Sequence, residues 1–410
     1  AGAWCGQNKY LSAIKNAFQN FMPLTIAGAI GVLWCNVLVN DQTGLGLFFK
    51  PIMALDFLNP AFQAVNFCTI SCITVGITLG IAQEIGVWNM GAEKAGYIPG
   101  LVGLAAWLSV TNTSHMVEGA KEAFTGIAGN ELGATGLFTG MIIGVLSVEL
   151  FCFFEKQDAL KIKMPEQVPP GVARAFEVLV PATITLIITA CIGSACYNLT
   201  GLYLNDVIKN GIQGPLGAVG ATIPGVMIIY LVIMLFWLVG IHGNNMLSAV
   251  KEALFTPLAL ENVEKFNKGE KPTNIINMYF LQMCGEFGGS GVTIGLVIAI
   301  MIFGKREDNK AIATLSLVPG LFNINETVTF GIPMVLNPIL GIPFVVAPLI
   351  TIIIGYVLTV IGFCPVACLT VPWTTPPIVF GFLATGANVM GAVTQAILIV
   401  VSTVIYVPFL

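Results

Sequence analysis

The stretch Asn323-Ile324-Asn325-Glu326 lies within a longer apolar segment, Leu321–Gly331, which reads LFNINETVTFG. From Ala311 to Leu410, Glu326 is the only aspartate, glutamate, lysine or arginine. A charged carboxylate at the centre of a bilayer costs at least about 2.5–3.5 kcal/mol. A lone carboxylate in so apolar a region is therefore a candidate functional residue, and it requires a partner.

The best candidate partner for Glu326 is His242. It lies in a second uncharged run, because no residue between Lys209 and Lys251 carries a fixed charge. Each of the two most apolar blocks thus contains one acid–base group, and we expect the two side chains to meet in a polar cavity. The alternative is that Glu326 is a structural carboxylate that binds backbone amides and that His242 is a packed polar residue.

The composition predicts an all-α polytopic membrane protein. The chain has 410 residues, of which 56% are hydrophobic and 9% charged, whereas globular proteins have roughly 45–50% and 25%. The mean hydropathy is +0.89. Only helices and closed barrels satisfy the backbone in lipid, and the apolar runs are unbroken rather than alternating, which favours helices. At roughly 20 residues per crossing, about ten spans fit.

Charge and cysteine usage exclude other classes of protein. The net charge is −4 and no basic stripe appears, so we expect no nucleic-acid partner. The ten cysteines are scattered through apolar segments without zinc-site spacing. We therefore expect neither a metal nor a cofactor.

In the first half, apolar runs predict five spans, and residues 43–58 are predicted to form an amphipathic surface helix. We place the boundary near residue 205, so that residues 1–205 form an N-terminal transmembrane half and 206–410 a C-terminal half. The five predicted spans are Phe18–Asn40, Ala61–Gln83, Tyr97–Asn112, Leu132–Phe154 and Val178–Leu199.

The second half is interrupted by polar, glycine- and proline-rich breaks around residues 242, 288, 325 and 373. Non-helical backbone at membrane depth persists only when it is buried in protein or lines a water-filled cavity. Broken hydrophobic segments are therefore typical of a transporter binding site. We expect the four breaks to converge, with re-entrant hairpins among the spans. Glu286, inside the second break, is a weaker candidate carboxylate.

The residues at these breaks suit a sugar, which has apolar ring faces and a polar rim. Trp237 and Trp373 could pack against the faces, while Asn323 and Asn325 could bind hydroxyl groups. The alternatives are that the tryptophans are interfacial anchors and that the asparagines form caps and turns.

Three ordered motifs resemble those of a known family. Asn323–Glu326 followed by FGIPMVLNP (Phe330–Pro338) is similar to the main motif of the phosphotransferase-system (PTS) enzyme IIC, lactose/cellobiose/diacetylchitobiose family. Gly240–Gly243 and Gly288–Gly291 resemble its other two motifs. The resemblance covers essentially the whole chain, with one departure: Thr327 stands where the family usually has proline.

The resemblance implies a fold of ten transmembrane helices, two re-entrant hairpins and amphipathic helices, in a homodimer whose contacts lie mainly in the first half. It also implies transport of a disaccharide across the bacterial cytoplasmic membrane, coupled to phosphorylation of its C6 hydroxyl. The phosphate comes from a phosphocysteine on the cytoplasmic IIB component, which IIA recharges. Neither component is part of this chain, so both are expected to be separate polypeptides.

The same resemblance assigns roles to individual residues. Glu326 is expected to bind the C6 hydroxyl and act as the base, since a positioned carboxylate can take a proton from an alcohol. His242 is expected to orient the hydroxyl or stabilise the incoming phosphoryl group. The expected substrate-binding residues are Asn325, Asn323, Trp237, Trp373 and Asn112.

Two other function classes remain open. In a proton-coupled secondary sugar transporter, Glu326 would carry a proton and nothing would be phosphorylated. In a structural or receptor-like membrane protein there would be no transport.

Overall fold

The computed structural model describes residues 8–41, 45–115, 124–165, 167–332, 334 and 337–410. Within them the regular elements are helices, apart from a pairing of two short antiparallel strands, β1 (Ser114–His115) and β2 (Phe124–Thr125). The predicted all-α fold is confirmed. The physical reason is that a helix satisfies the hydrogen bonds of its own backbone, which an apolar chain in lipid requires.

The chain forms two compact units. The N-terminal unit comprises Ala3–Leu24 and Thr69–Leu216, and the C-terminal unit comprises Thr25–Cys68 and Gly217–Leu410, each within the described residues. This differs from the expected halves, 1–205 and 206–410, chiefly because Thr25–Cys68 belongs with the later residues. One contact that joins it there is the side-chain amide of Asn36, which donates a hydrogen bond to Asn267 Oδ1 at 3.1 Å.

The first helix, α1 (Lys9–Leu33), runs from the N-terminal into the C-terminal unit. The N-terminal unit continues with α4 (Ile73–Met90), α5 (Ala92–Ala95), α6 (Ile98–Val110), α7 (Gly129–Leu132), α8 (Ala134–Glu155), α9 (Pro170–Thr200) and α10 (Leu204–Ile208), and α11 (Gly214–Gly220) begins at its edge. Short 3-10 helices cover Ile70–Cys72 and Asp158–Leu160, and a π-helical turn covers Lys209–Gln213.

The early part of the C-terminal unit contains a π-helical turn (Trp34–Leu38), α2 (Leu45–Phe48), a 3-10 helix (Lys50–Leu58) and α3 (Asn59–Cys68). No residue of Lys50–Leu58 is buried within the chain, but this segment also begins the apolar run Lys50–Met90, which is long enough to cross a membrane. The surface helix over residues 43–58 therefore stays a prediction, and residues 43 and 44 lie outside the described residues. The later part contains α12 (Ile223–Leu238), α13 (Gly243–Met246), α14 (Ser248–Asn267), α15 (Met278–Gly285), α16 (Ile294–Phe303), α17 (Glu307–Leu321), α18 (Glu326–Gly331), α19 (Gly341–Val360), α20 (Val379–Ala384), α21 (Val389–Tyr406) and a final 3-10 turn (Val407–Phe409).

Six helical runs among the described residues are long and apolar enough to cross a membrane: Lys9–Leu38, Lys50–Met90, Ala134–Glu155, Pro170–Thr200, Gly341–Val360 and Val389–Phe409. The pair Leu204–Gly220 and Ile223–Leu238, bent by 75°, adds a seventh if it is a single span. Helices α6 and α16 are apolar but shorter. The total of ten therefore stays a prediction, since breaks in the second half divide its apolar segments.

Glycine allows close helix packing in the N-terminal unit, where α4, α6 and α8 contact one another. A Cβ atom on Gly103 would lie 2.3 Å from Ala82 Cβ, and one on Gly140 would lie 2.2 Å from Thr78 Oγ1. Small residues let helix backbones approach closely in lipid, where apolar burial alone gives little driving force between helices.

The C-terminal unit is built around one buried apolar cluster that includes Tyr230, Trp237, Phe280, Phe344 and Tyr406. Helix α19 packs against α12 and α21, while α16 packs against α17 and α21. The predicted polar breaks are the connections from α12 to α13, α15 to α16, α17 to α18 and α19 to α20. All four lie in this unit.

Candidate functional site

Glu326 and His242 lie next to each other, as their two uncharged runs predicted. Glu326 is the first residue of α18, and His242 immediately precedes α13. His242 Nε2 and Glu326 Oε1 are 3.8 Å apart, and the side chains are 36% and 49% exposed. This separation exceeds the usual 2.7–3.2 Å of a hydrogen bond. The two groups are thus close to each other without a direct hydrogen bond, and both keep accessible surface.

The orientation of His242 is set by its own backbone neighbourhood. Its Nδ1 accepts a hydrogen bond from the backbone N–H of Asn245 at 3.2 Å. In the neutral ring the proton must therefore be on Nε2, the nitrogen that faces Glu326. His242 can consequently donate a hydrogen bond toward the same point at which Glu326 accepts one.

Trp237 supports His242 and does not offer a face to a ligand. It is only 1% exposed, and its ring centroid lies 4.4 Å from that of His242. Phe330 and Phe344 flank it at 6.3 and 6.4 Å. Its ring therefore has almost no accessible surface in this structure, and the expectation that it packs against a sugar ring stays a prediction. The sequence could not distinguish a buried from an exposed tryptophan at the end of an apolar helix.

Asn323 binds backbone groups from two of the other breaks. Its Oδ1 accepts from Gly288 N at 2.6 Å, and its Nδ2 donates to the carbonyl oxygens of Trp373 and Thr375, the latter at 3.0 Å. Its own φ of +63° is a left-handed conformation that asparagine tolerates better than most residues. Both N–H groups and the carbonyl oxygen of the Asn323 side chain are thus bonded within the protein. This agrees with the alternative of a turn-forming residue, and its part in sugar binding stays a prediction.

The side chain of Asn325 also binds the backbone of a neighbouring segment. It is 4% exposed, and its Nδ2 donates to the carbonyl oxygen of Ser290 at 2.7 Å. The Oγ of Ser290 in turn accepts from Asn244 Nδ2 at 2.9 Å. Ser290 thus joins the second break to both the first and the third. Sequence reasoning missed it, because serine in a glycine-rich segment has an ordinary structural explanation.

These contacts show that the four breaks converge, as predicted. The segment from Glu286 to Gly291, called here the glycine turn, contains three residues with positive φ, namely Gly288, Gly289 and Gly291 at 70°, 88° and 80°. Such values favour glycine. The break around residue 288 is therefore a tight turn between α15 and α16.

The remaining two predicted residues differ in position. Trp373 is 44% exposed and is free to present its ring. Asn112 belongs to the N-terminal unit, where its Oδ1 accepts from Ser114 N at 3.0 Å and its Nδ2 is 3.5 Å from His115 Nδ1. Its part in sugar binding stays a prediction.

The structure adds a charged group that sequence reasoning did not assign. Lys251 contacts Glu286, and the side chains are 7% and 17% exposed. The hydroxyl of Tyr230 donates to Glu286 Oε1 at 2.8 Å. Glu286 was a weaker candidate carboxylate in the sequence. Its partner Lys251 could have been suspected, because it is the first charged residue after the uncharged run that holds His242.

Thr327 fits the local backbone. It is the second residue of α18, where an amide has no intrahelical partner, so threonine and proline are both accommodated. Among the described residues, no group of three or more histidine, cysteine, aspartate or glutamate side chains is arranged to hold a metal ion.

Known proteins resemble this chain over almost its whole length. The family model "Phosphotransferase system, EIIC" matches residues 15–348. The PTS system oligo-beta-mannoside-specific EIIC component of Bacillus subtilis (strain 168) is 34% identical over 408 residues, covering 98% of this chain and 89% of the relative. The PTS system cellobiose-specific EIIC component of Lactococcus lactis subsp. lactis (strain IL1403) is 30% identical, covering 98% and 94%.

A solved structure is similar as well. The crystal structure of the transporter ChbC, the IIC component from the N,N'-diacetylchitobiose-specific phosphotransferase system, superimposes with a TM-score of 0.90 at 30% identity. The match covers 99% of this chain and 94% of that one. With these relatives and the family match along most of its length, the chain belongs to the phosphotransferase-system EIIC family, multi-pass membrane components that bind sugar and work with IIA and IIB components.

Proposed function

We propose that this chain is a disaccharide permease that binds a sugar of the cellobiose or N,N'-diacetylchitobiose type and translocates it for phosphorylation at its C6 hydroxyl by phosphorylated IIB. The names of the similar proteins support this substrate class. The proposal places the chain in the bacterial cytoplasmic membrane, as a homodimer whose contacts lie mainly in residues 1–205, working with IIA and IIB components. These last points rest on the family resemblance.

The observation that carries the proposal is the gap between Glu326 and His242. A hydroxyl oxygen about 2.8 Å from each group fits between two atoms that are 3.8 Å apart. That oxygen would accept a hydrogen bond from His242 Nε2–H and donate its own proton to Glu326 Oε1. His242 as donor and Glu326 as acceptor are therefore positioned to bind one hydroxyl group of a sugar.

The transfer step follows from this arrangement. The sugar oxygen forms a bond to phosphorus as the bond between phosphorus and the cysteine sulfur of IIB breaks, and the cysteine leaves as a thiolate. The hydroxyl proton passes to Glu326. Phosphoryl transfer depends mainly on positioning and on stabilising charge, and the His242 N–H supplies a donor for the sugar oxygen or for the phosphoryl group.

The exposure of Glu326 supports an aqueous site. Its side chain is 49% exposed, and a charged carboxylate facing hydrocarbon would cost several kcal/mol, about 2.5–3.5 or more. The accessible surface of this pair is therefore best explained as the wall of a water-filled cavity. Trp373, whose backbone is held by Asn323, is the candidate aromatic plate for a sugar ring.

Replacing Glu326 by glutamine tests the role of this residue. Glu326→Gln keeps the size and polarity of the side chain but loses the base, so sugar affinity should stay within about threefold while the transfer rate falls by about 100-fold or more. Binding of cellobiose and N,N'-diacetylchitobiose would be measured by calorimetry on purified protein. Sugar phosphate would be measured by mass spectrometry in proteoliposomes supplied with phosphorylated IIB.

The matched control is Glu307→Gln, an identical chemical change at an exposed residue of α17. It is expected to leave both measurements at the parental level. Parental production of sugar phosphate by Glu326→Gln would refute the assignment of Glu326 as the base.

A further inference from the structure

The Lys251–Glu286 ion pair lies close to the candidate site but has no direct role in the reaction proposed above. Both side chains are largely buried, and Tyr230 donates a further hydrogen bond to the same carboxylate oxygen. A buried ion pair is not in itself a source of stability, because the loss of hydration offsets the attraction. Its best-attested use is to fix the register of the elements that it joins.

The glycine turn begins at this pair. The carbonyl oxygen of Glu286 accepts from Gly289 N at 2.9 Å. The far end of the turn is held by Tyr406, whose hydroxyl donates to the carbonyl oxygen of Gly291 at 2.7 Å. Glu286 and Gly291 thus bound the stretch that contains Ser290, and both are held by neighbouring side chains.

On one side, the glycine turn contacts the segment that carries His242 at two points. Lys251, at the start of α14, contacts Glu286. Asn244, two residues after His242, donates to Ser290 Oγ at 2.9 Å. Two separated contacts fix the orientation of a segment, whereas one contact would leave it free to pivot.

On the other side, the turn contacts the segment that carries Glu326, again at two points. Asn323 accepts from Gly288 N at 2.6 Å, and Asn325 donates to the Ser290 carbonyl at 2.7 Å. His242 and Glu326 make no hydrogen bond with each other, since they are 3.8 Å apart. The glycine turn, which contacts both segments by hydrogen bonds, is therefore a structural connection between them, beside the packing of Trp237 against His242 and Phe330.

We propose that the glycine turn sets the separation of His242 and Glu326, and that Lys251 and Glu286 are positioning residues that anchor it. This inference rests on the proposed function. It assigns the ion pair to the transfer step rather than to sugar binding, because transfer depends on the mutual placement of acid and base. A misplacement of about 1 Å can cost about 100-fold in rate.

The test uses the neutral double variant Lys251→Met/Glu286→Gln. Removing one partner alone would leave an uncompensated buried charge, whereas removing both charges avoids that penalty. We expect the affinity for cellobiose or N,N'-diacetylchitobiose, whichever the parent binds, to stay within about threefold, and the single-turnover transfer rate at saturating sugar to fall by about 10-fold or more.

A second variant, Ser290→Ala, removes the hydrogen bond from Asn244 to Ser290 Oγ without changing a charge. It is also expected to lower the transfer rate while sugar affinity stays near the parental value. The control is Glu155→Gln in the N-terminal unit, where the buried carboxylate pairs with Lys94 and Arg174 at 2.8 and 3.0 Å. This control is expected to lower thermal stability without separating affinity from rate.

The outcomes are distinct. Parental transfer rates in both the double variant and Ser290→Ala would overturn the proposal, as would a loss of affinity equal to the loss of rate. If the parent protein itself makes no sugar phosphate from phosphorylated IIB, the proposed function fails, and the catalytic use of the turn fails with it.

Discussion

Single side chains around Glu326 divide into those that hold the backbone and those that remain accessible. Asn323 and Asn325 donate to carbonyl groups of neighbouring segments, and Trp237 is buried against His242. Glu326, His242 and Trp373 keep accessible surface. Burial, rather than residue type, therefore decides which of them can touch a ligand.

The two tryptophans should respond differently to substitution. Trp373→Ala removes an exposed aromatic plate, and we expect sugar affinity to fall by about 10-fold, as for other large aromatic anchors of binding sites. Trp373→Phe, which keeps a ring, should lose less. Affinity would be measured by calorimetry.

The control for that experiment is Trp237→Phe. Because Trp237 is buried, we expect lower thermal stability and a smaller change in affinity than for Trp373→Ala. A larger affinity loss at position 237 than at 373 would show that the buried ring, not the exposed one, governs sugar binding.

At the scale of elements, the glycine turn and the start of α18 determine the site together. The turn needs positive φ at three glycines, and α18 begins where Asn325 contacts Ser290. The sequence indicated a break in each segment from its glycine and asparagine content. It could not indicate their hydrogen bonds, which join residues 35 positions apart.

An alanine at Gly289 should disturb this element directly. Its φ is +88°, and a Cβ atom there would lie 2.6 Å from Asn325 Cβ. Backbone strain of this kind costs about 1–3 kcal/mol, so Gly289→Ala should lower the melting temperature and the yield of sugar phosphate. Both can be followed in detergent and in proteoliposomes.

Gly171→Ala is the matched change, since a Cβ atom there meets nothing within 4 Å and the residue lies in the first turn of α9. It is expected to keep parental stability and activity. Equal effects of the two substitutions would contradict the role assigned to the turn.

For the whole molecule, the source of energy for transport separates the two transporter classes. If uptake is coupled to phosphorylation, sugar accumulation in vesicles should persist in the presence of a protonophore and require phosphorylated IIB. The reason is that a phosphoryl bond, not a proton gradient, supplies the free energy. Radiolabelled cellobiose or N,N'-diacetylchitobiose would be used as the probe.

An IIB variant that lacks its phosphorylatable cysteine provides the control and should abolish uptake. Uptake that is lost with the protonophore alone, and is indifferent to IIB, would favour the proton-coupled transporter in which Glu326 carries a proton.

The sequence by itself determined the helical membrane fold and singled out Glu326 and His242 as a candidate pair. Each follows from local composition, because lipid penalises unpaired backbone and isolated charge wherever they occur along the chain. Tertiary structure alone decided that Thr25–Cys68 packs with the later residues, that Trp237 is buried and that Asn323 binds three backbone groups. Those features depend on contacts between residues distant in sequence, and such contacts leave no local pattern from which they could be predicted.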